Sequence, residues 1–378
     1  MSTEGFHYEV IAEDGPARAG RFVTPHAVIE TPVFMPVGTQ GTVKTQTTEE
    51  VAATGARIIL ANTYHLMLRP TAELVAQLGG IRRFMGWPHA LLTDSGGYQV
   101  FSLTGLRSID DGGVVFRSHL DGSKHALTPE RAMEIQGLLG SSIAMVLDEC
   151  PPGAAERSVI EQAVRRSTMW AKRCLAYPRP PEQACFGIVQ GGVHADIRRA
   201  HLAELAKLPF DGIAMGGFSV GEPIETMYSL LSELAPTMPR ERPRYLMGVG
   251  KPIDLLRSVG SGIDMFDCVL PTRNARNAQA LTWGGRVNLK QARHTADEAP
   301  LDARCDCPVC KKHSRAYLRH LIRAQEILGI RLVTQHNLSF YAALMRAART
   351  AIIEGRYAAF AAEAEARMLA EDEIGGPS

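Results

Sequence analysis

Eight short apolar runs punctuate the chain, and nothing else in it narrows the possible folds so far. They occupy 33–37, 57–60, 90–93, 142–147, 185–189, 212–215, 244–247 and 265–269. Between them lie amphipathic stretches with helical spacing, at 156–177, 194–208, 224–234 and 253–259. Thr128-Pro129-Glu130 supplies a helix start, with a hydroxyl cap and proline at the first helical position. Short strands that are apolar on both faces and alternate with helices form parallel βαβ units, and eight such units close into a (β/α)8 TIM barrel. An open doubly wound sheet is the alternative arrangement of the same units.

Two regions break the rhythm. Residues 112–127 (GGVVFRSHLDGSKHAL) alternate in polarity and turn at Asp121-Gly122, which predicts an inserted β-hairpin. The alternation stops after Leu281, and 282–350 reads as a metal-binding subregion integrated with a single catalytic domain over 1–378. From about Tyr357 the chain is an Ala- and Glu-rich helix ending in Gly-Gly-Pro-Ser. No apolar run approaches the ~20 residues needed to span a bilayer, and the first ten residues lack a basic lead followed by an apolar core. These features predict a cytoplasmic protein with no membrane partner.

The residues that follow the apolar runs carry the chemistry. Run three leads into Asp94-Ser95-Gly96-Gly97-Tyr98, run four into Asp148-Glu149-Cys150, run five into Gln190, and run six into Gly216-Gly217-Phe218. Run seven leads into Met247 and Gly248-Val249-Gly250, and run eight contains Asp267. In a barrel all of these meet at one mouth. Two acids and an amide match the donor and acceptor edge of a purine, glycines let a flat ligand approach the backbone, and Tyr98 or Met247 offers a surface for stacking. Paired carboxylates at a pocket also suit glycosidic chemistry, with Asp267 as nucleophile and Asp94 moving the proton. A glycoside hydrolase is the rival enzyme; it calls for aromatic sugar platforms, and aromatic residues make up only 6% of the chain.

Seven cysteines, an odd number with three of them clustered, argue for a metal site rather than a disulfide scaffold. Cys305-x-Cys307-x2-Cys310 with one histidine makes a closed tetrahedral zinc site of structural type. His313 and His320 compete for the fourth position. His336 is preferred, on the expectation that it opens the next helix and that the longer return leaves its geometry free. Between Arg242 and His294, nine lysines and arginines face three acids in a chain of net charge +1. Such a patch beside Asp267 suits a polyanion.

These motifs, in this order, resemble the tRNA-guanine transglycosylases, also called queuine tRNA-ribosyltransferases. The matches are TDSGGYQVFSL (93–103), VLDEC (146–150), GIVQGG (187–192), GGFSVGE (216–222), YLMGVGKP (245–252), DMFDCVLPTRNARN (264–277) and CDCPVC with His336. The resemblance implies a zinc-bearing TIM barrel that exchanges the wobble guanine of tRNAs with a G-U-N anticodon for a 7-deazaguanine, through a covalent tRNA–enzyme intermediate. It gives Asp267 the role of nucleophile and Asp94 that of proton acceptor. The base pocket would comprise Asp94, Ser95, Gly96, Gly97, Tyr98, Asp148, Gln190, Gly217, Phe218 and Met247. The anticodon loop would lie on Gly248, Val249, Gly250, Lys251, Pro252, Ile253 and Asp254, and on Thr272, Arg273, Asn274, Ala275 and Arg276. Cys150 and Val220 look like the bacterial type, which takes 7-aminomethyl-7-deazaguanine for queuosine synthesis; Phe218 departs from its usual leucine. The family resemblance also implies a homodimer. The rival within the family is a non-catalytic, zinc-stabilised tRNA-binding homologue, which would lack one of Asp94, Asp148 and Asp267.

Overall fold

A strand with no polar face must be covered on both sides, and eight such strands are present. They are β1 (Val33–Pro36), β2 (Ile58–Ala61), β3 (Ala90–Thr93), β4 (Ile143–Met145), β5 (Ala184–Val189), β6 (Gly212–Met215), β7 (Arg244–Leu246) and β8 (Met265–Cys268). The computed structural model describes residues 5–103, 107–153 and 155–374. Each strand falls on one of the eight apolar runs. All pair in parallel in the order β1-β8-β7-β6-β5-β4-β3-β2. A bridge from Val37 to Leu60 joins the two ends of that order, and Gly38 N–H donates to the Leu60 carbonyl at 2.6 Å. The sheet is therefore closed, which decides for the barrel against the open sheet.

Helices cover the outside. Thr128 accepts from the Arg131 N–H at 3.1 Å and caps Pro129–Leu139, as its sequence predicts. Arg157–Ala176, Ala195–Leu205, Ile224–Leu234 and Pro252–Gly260 follow β4 to β7 in turn. After β8 comes the short helix Leu270–Arg276, then the hairpin Gln279–Thr282 with Gly285–Asn288. The long helix Ile327–Ile353 packs on β1 and on Leu270–Arg276, and Tyr357–Ile374 follows it.

Three features differ from the sequence reading. The inserted hairpin is a three-stranded antiparallel sheet, Arg107–Asp110, Gly113–Arg117 and Lys124–Leu127, because Asp110 and Gly113 form a second turn ahead of the expected one. His336 lies well inside Ile327–Ile353 rather than at a helix start. The chain also begins with an unanticipated antiparallel sheet, His7–Asp14, Ala17–Thr24 and Ala27–Thr31. Its first strand alternates buried or half-buried residues with exposed ones, and Glu9 and Glu13 confine its apolar run to Val10-Ile11-Ala12.

That sheet is fastened to the barrel by a buried ion pair. Arg18 donates to Asp264 through Nε at 2.9 Å and Nη2 at 2.6 Å, and both side chains are almost wholly buried. Asp264 also accepts from the Tyr8 hydroxyl at 2.8 Å and the Arg244 N–H at 2.7 Å. Arg18 further donates to the carbonyls of Arg240 and Arg242. Arg240, Arg242 and Asp264 precede β7 or β8 and Arg244 opens β7, so the network seals the amino end of the barrel. Removing one member strands a buried charge, and Asp264→Ala should lower unfolding free energy by about 3–5 kcal/mol. Urea denaturation of the variant measures this; a change below about 1 kcal/mol, the scale of a surface pair, would contradict it.

Candidate active site

The carboxyl ends of the strands converge as barrel closure requires, and each delivers a different polar group. β2 is followed by Asn62 and Thr63, β3 by Asp94 and Ser95, β4 by Val146, Leu147 and Asp148, and β5 by Gln190. β6 leads into Gly216 and Gly217, and β7 into Met247 and Gly248. Asp267 lies within β8, where it and Cys268 are only half-buried while Met265 and Phe266 are covered. The barrel opens to solvent beside this carboxylate.

Asp94 is gripped on both oxygens. One accepts from the Thr63 N–H at 2.8 Å; the other accepts from the Asn62 amide and from Gln99 Nε2 at 2.8 Å. Burial lifts its pKa to about 6, against the pull of those three donors, and the charge of Asp267 adds to the rise. Asp148 accepts from Gln190 Nε2 at 2.7 Å and Ser95 Oγ at 3.2 Å. Burial lifts it, too, to about 6, opposed by the same two hydrogen bonds. Asp267 takes the Tyr245 hydroxyl at 2.6 Å and the Gly248 N–H at 2.8 Å on one oxygen. Its pKa is raised by burial and held back by these donors. The Tyr245 phenol, buried beside that carboxylate, is pushed far above its ordinary range and stays a donor. The second oxygen of Asp267 has no hydrogen-bond partner among the described residues.

The surrounding backbone fits tightly. A side chain on Gly97 would put its Cβ 2.8 Å from the Asp148 carbonyl, and one on Gly217 (φ +67°) would put it 2.3 Å from Gln190 Oε1. Ser95 Oγ also accepts from the Gly97 N–H. Tyr98 lies exposed in the helix Gly97–Leu103, and Met247 is half-buried, with its N–H on the Met215 carbonyl. Phe218 turns its ring inward onto the Arg198 guanidinium, 3.8 Å from ring centroid to Cζ, so its bulk is spent in the core. Beside Asp267, Lys251, Arg273 and Arg276 are exposed, whereas Thr272 and Ala275 are buried. Asp254 is buried and accepts from the Tyr228 hydroxyl at 2.6 Å.

Cys305, Cys307, Cys310 and His336 bring their ligand atoms within 4.8 Å of one another. His336 Nε2 lies 3.0 Å from the Leu281 carbonyl, an acceptor only, so Nε2 carries the proton and Nδ1 faces the sulfurs with its lone pair. Three thiolates and one imidazole leave no open position, and the donor set fits a tetrahedral metal ion. The next residue ties this cluster to the mouth. Asn337 donates to the Pro271 and Gln279 carbonyls and accepts from the Leu281 N–H, while Tyr341 donates to the Gly250 carbonyl at 2.5 Å.

Five site residues carry no role in the sequence reading: Asn62, Thr63, Gln99, Tyr245 and Arg198. Asn62 and Thr63 follow the second apolar run just as Asp94 follows the third, so the strand-end rule reaches them when applied one strand earlier. Arg198 projects inward from the helix Ala195–Leu205, and only the fold places it at the mouth.

Comparison with known proteins covers almost the whole chain. The family model described as queuine tRNA-ribosyltransferase matches residues 13–370. A queuine tRNA-ribosyltransferase from Sorangium cellulosum is 62% identical over 360 residues, covering 95% of this chain and 91% of the relative. One from Herpetosiphon aurantiacus is 55% identical over 355 residues, covering 94% and 91%. One from Cereibacter sphaeroides is 54% identical over 361 residues, covering 95% and 96%.

The raised pKa values have a stability consequence. Asp148 releases its proton near 3.8 in the unfolded chain but only near 6 in the folded one. Its contribution is therefore fully present below about pH 4 and is lost as pH climbs through 6. Asp148→Asn, whose amide can still meet Ser95 and Gln190, should be more stable than the parent at pH 7.5 by up to about 3 kcal/mol. Denaturant titrations at pH 4 and pH 7.5 check this: the advantage should shrink toward zero at the lower pH, and one independent of pH would refute it.

Proposed function

The chain belongs to the queuine tRNA-ribosyltransferase family, and from that membership we propose how its mouth exchanges a base in tRNA. It is a tRNA-guanine transglycosylase, a pentosyltransferase. The free oxygen of Asp267 attacks C1′ of the wobble guanosine, and the C1′–N9 bond breaks with its electron pair leaving on the base. Asp94, poised near neutrality by burial, gives the departing guanine its proton and later takes one from the entering base. The entering N9 then attacks C1′, the ribose–Asp267 bond breaks, and the carboxylate is restored. Asp148, Gln190 and Gly217 read the purine edge, with Met247 or Tyr98 available to its face. The entering base is 7-aminomethyl-7-deazaguanine. The inward turn of Phe218 supports this, since the ring leaves room for an amine at its own carbonyl.

Exposed Lys251, Arg273 and Arg276 hold the phosphates of a G-U-N anticodon loop, single-stranded and so able to turn its base outward. The metal at Cys305, Cys307, Cys310 and His336 is zinc, with a purely structural role. A homodimer forms beside it, where Tyr317, Leu328 and especially Ile327, 76% exposed, lie uncovered. None of the seven cysteines is in a disulfide, which suits the reducing cytoplasm. Among the described residues no helix is long and apolar enough to cross a membrane.

The observation that carries the reading is a half-buried carboxylate with one oxygen clamped and one free, at the mouth of a barrel of this family. Labelled guanine should enter unmodified G-U-N tRNA with the wild type and not with Asp267→Ala, and denaturing gels should show a covalent tRNA adduct only in the former. Exchange surviving in Asp267→Ala would remove that residue as the nucleophile. A second expectation concerns the metal. Cys307→Ser should lose zinc, lower Tm by several degrees and weaken tRNA binding more than free-base binding, since Asn337 and Tyr341 brace the RNA-facing backbone. Unchanged zinc content by elemental analysis, with unchanged Tm, would sink the structural role.

A further inference from the structure

Arg198 is fully buried, and among the described residues no carboxylate lies within ion-pair distance of it. Burying an arginine without a counter-ion is costly, and such a group is rarely kept without use. Burial draws its pKa down to about 10, which still leaves it charged at neutral pH. Its donors all go to backbone carbonyls: Nε to Gly192 at 2.7 Å, Nη1 to Gly216 at 3.0 Å and Nη2 to Gly217 at 3.1 Å. The Phe218 ring covers one face of the guanidinium.

Two of those carbonyls belong to the peptides whose N–H groups are those of Gly217 and Phe218. Neither N–H has an acceptor among the described residues. A cation on the oxygen side of a peptide polarises its N–H and makes it a stronger donor. The same segment lies against the Gln190 amide, which is itself bonded to Asp148. An ionised carboxylate pairs with the adjacent N1–H and amino group of a guanine, so the neighbouring oxo group falls beside Asp148, among the donors on its flank.

We infer that Arg198 is a positioning residue whose charge, held by carbonyls rather than by an ion pair and relayed through the Gly216 and Gly217 carbonyls, strengthens two backbone donors toward the purine oxo group and stabilises the negative charge left on the expelled base. The inference rests on the base placement proposed above. When the C1′–N9 bond breaks, the electron pair passes into the ring system and part of its charge reaches that oxygen. Donors already polarised by a fixed cation need no reorganisation at that moment.

The test compares binding of guanine with that of 6-thioguanine, which keeps the N1–H and amino donors but carries sulfur, a weaker hydrogen-bond acceptor, in place of the oxo oxygen, in wild type, Arg198→Lys and Arg198→Gln. Wild type should prefer guanine; Arg198→Gln should weaken guanine on the order of tenfold while weakening 6-thioguanine far less, and Arg198→Lys should recover part of the loss. Equal weakening of both ligands would reduce Arg198 to a purely structural part and overturn the inference. Isotope-edited vibrational spectroscopy of guanine bound to the wild type needs no variant to fold. Its oxo stretch should lie to the red of that in water, and an unshifted band would overturn the inference as well. A wild type that binds guanine without preferring it would count against Arg198, whereas one that does not bind guanine at all would count against the base placement itself.

Discussion

Closing a parallel sheet makes its two ends unlike, and everything functional here follows from that asymmetry. The bridge between Val37 and Leu60 turns a row of eight strands into a ring. Every residue that follows a strand is then brought to one rim, however far apart the strands lie in the chain. At the other rim the Arg18–Asp264 pair fastens an antiparallel sheet over the opening. One end is thus sealed by a satisfied ion pair, and the other holds ionisable groups whose partners are mostly neutral donors.

That contrast sets the electrostatics of the mouth. Asp94, Asp148 and Asp267 are each hydrogen-bonded, yet among the described residues none has a cationic partner within hydrogen-bonding reach. Amides, hydroxyls and backbone N–H groups orient a carboxylate without neutralising it, so burial dominates and the pKa rises. A salt bridge in the same place would have lowered it instead. Arg198, buried near the rim, faces carbonyls instead of these acids.

The barrel was legible because parallel strands must be apolar throughout, which leaves an unmistakable trace in the sequence. The acids at the strand ends were legible for the same reason, since each follows such a run. The N-terminal sheet was not: one face of its first strand is wet, and its charged residues hide the pattern. The second turn in the inserted sheet escaped notice because Asp110 to Gly113 forms it before the more obvious Asp121-Gly122 pair. The Cys3His cluster was visible from spacing, but the placement of His336 was not. A histidine inside a helix shows only the helical period, and its carbonyl partner at Leu281 is distant in sequence. Arg198 left no trace either, because an arginine in an amphipathic helix reads as surface until packing turns it inward.

The clamp from Ile327–Ile353 carries an implication for how the protein comes into being. Gly250 is held by Tyr341 and Pro271 by Asn337, so the backbone on either side of Asp267 is fastened by residues 91 and 66 positions further along the chain. During synthesis the ring of strands is complete in sequence well before its brace has left the ribosome. A nascent chain that already displays all three carboxylates therefore still lacks the contacts that fix the loops around Asp267. Placing the fastener last defers competence to the finished polypeptide, and unfinished chains have no braced surface with which to engage RNA.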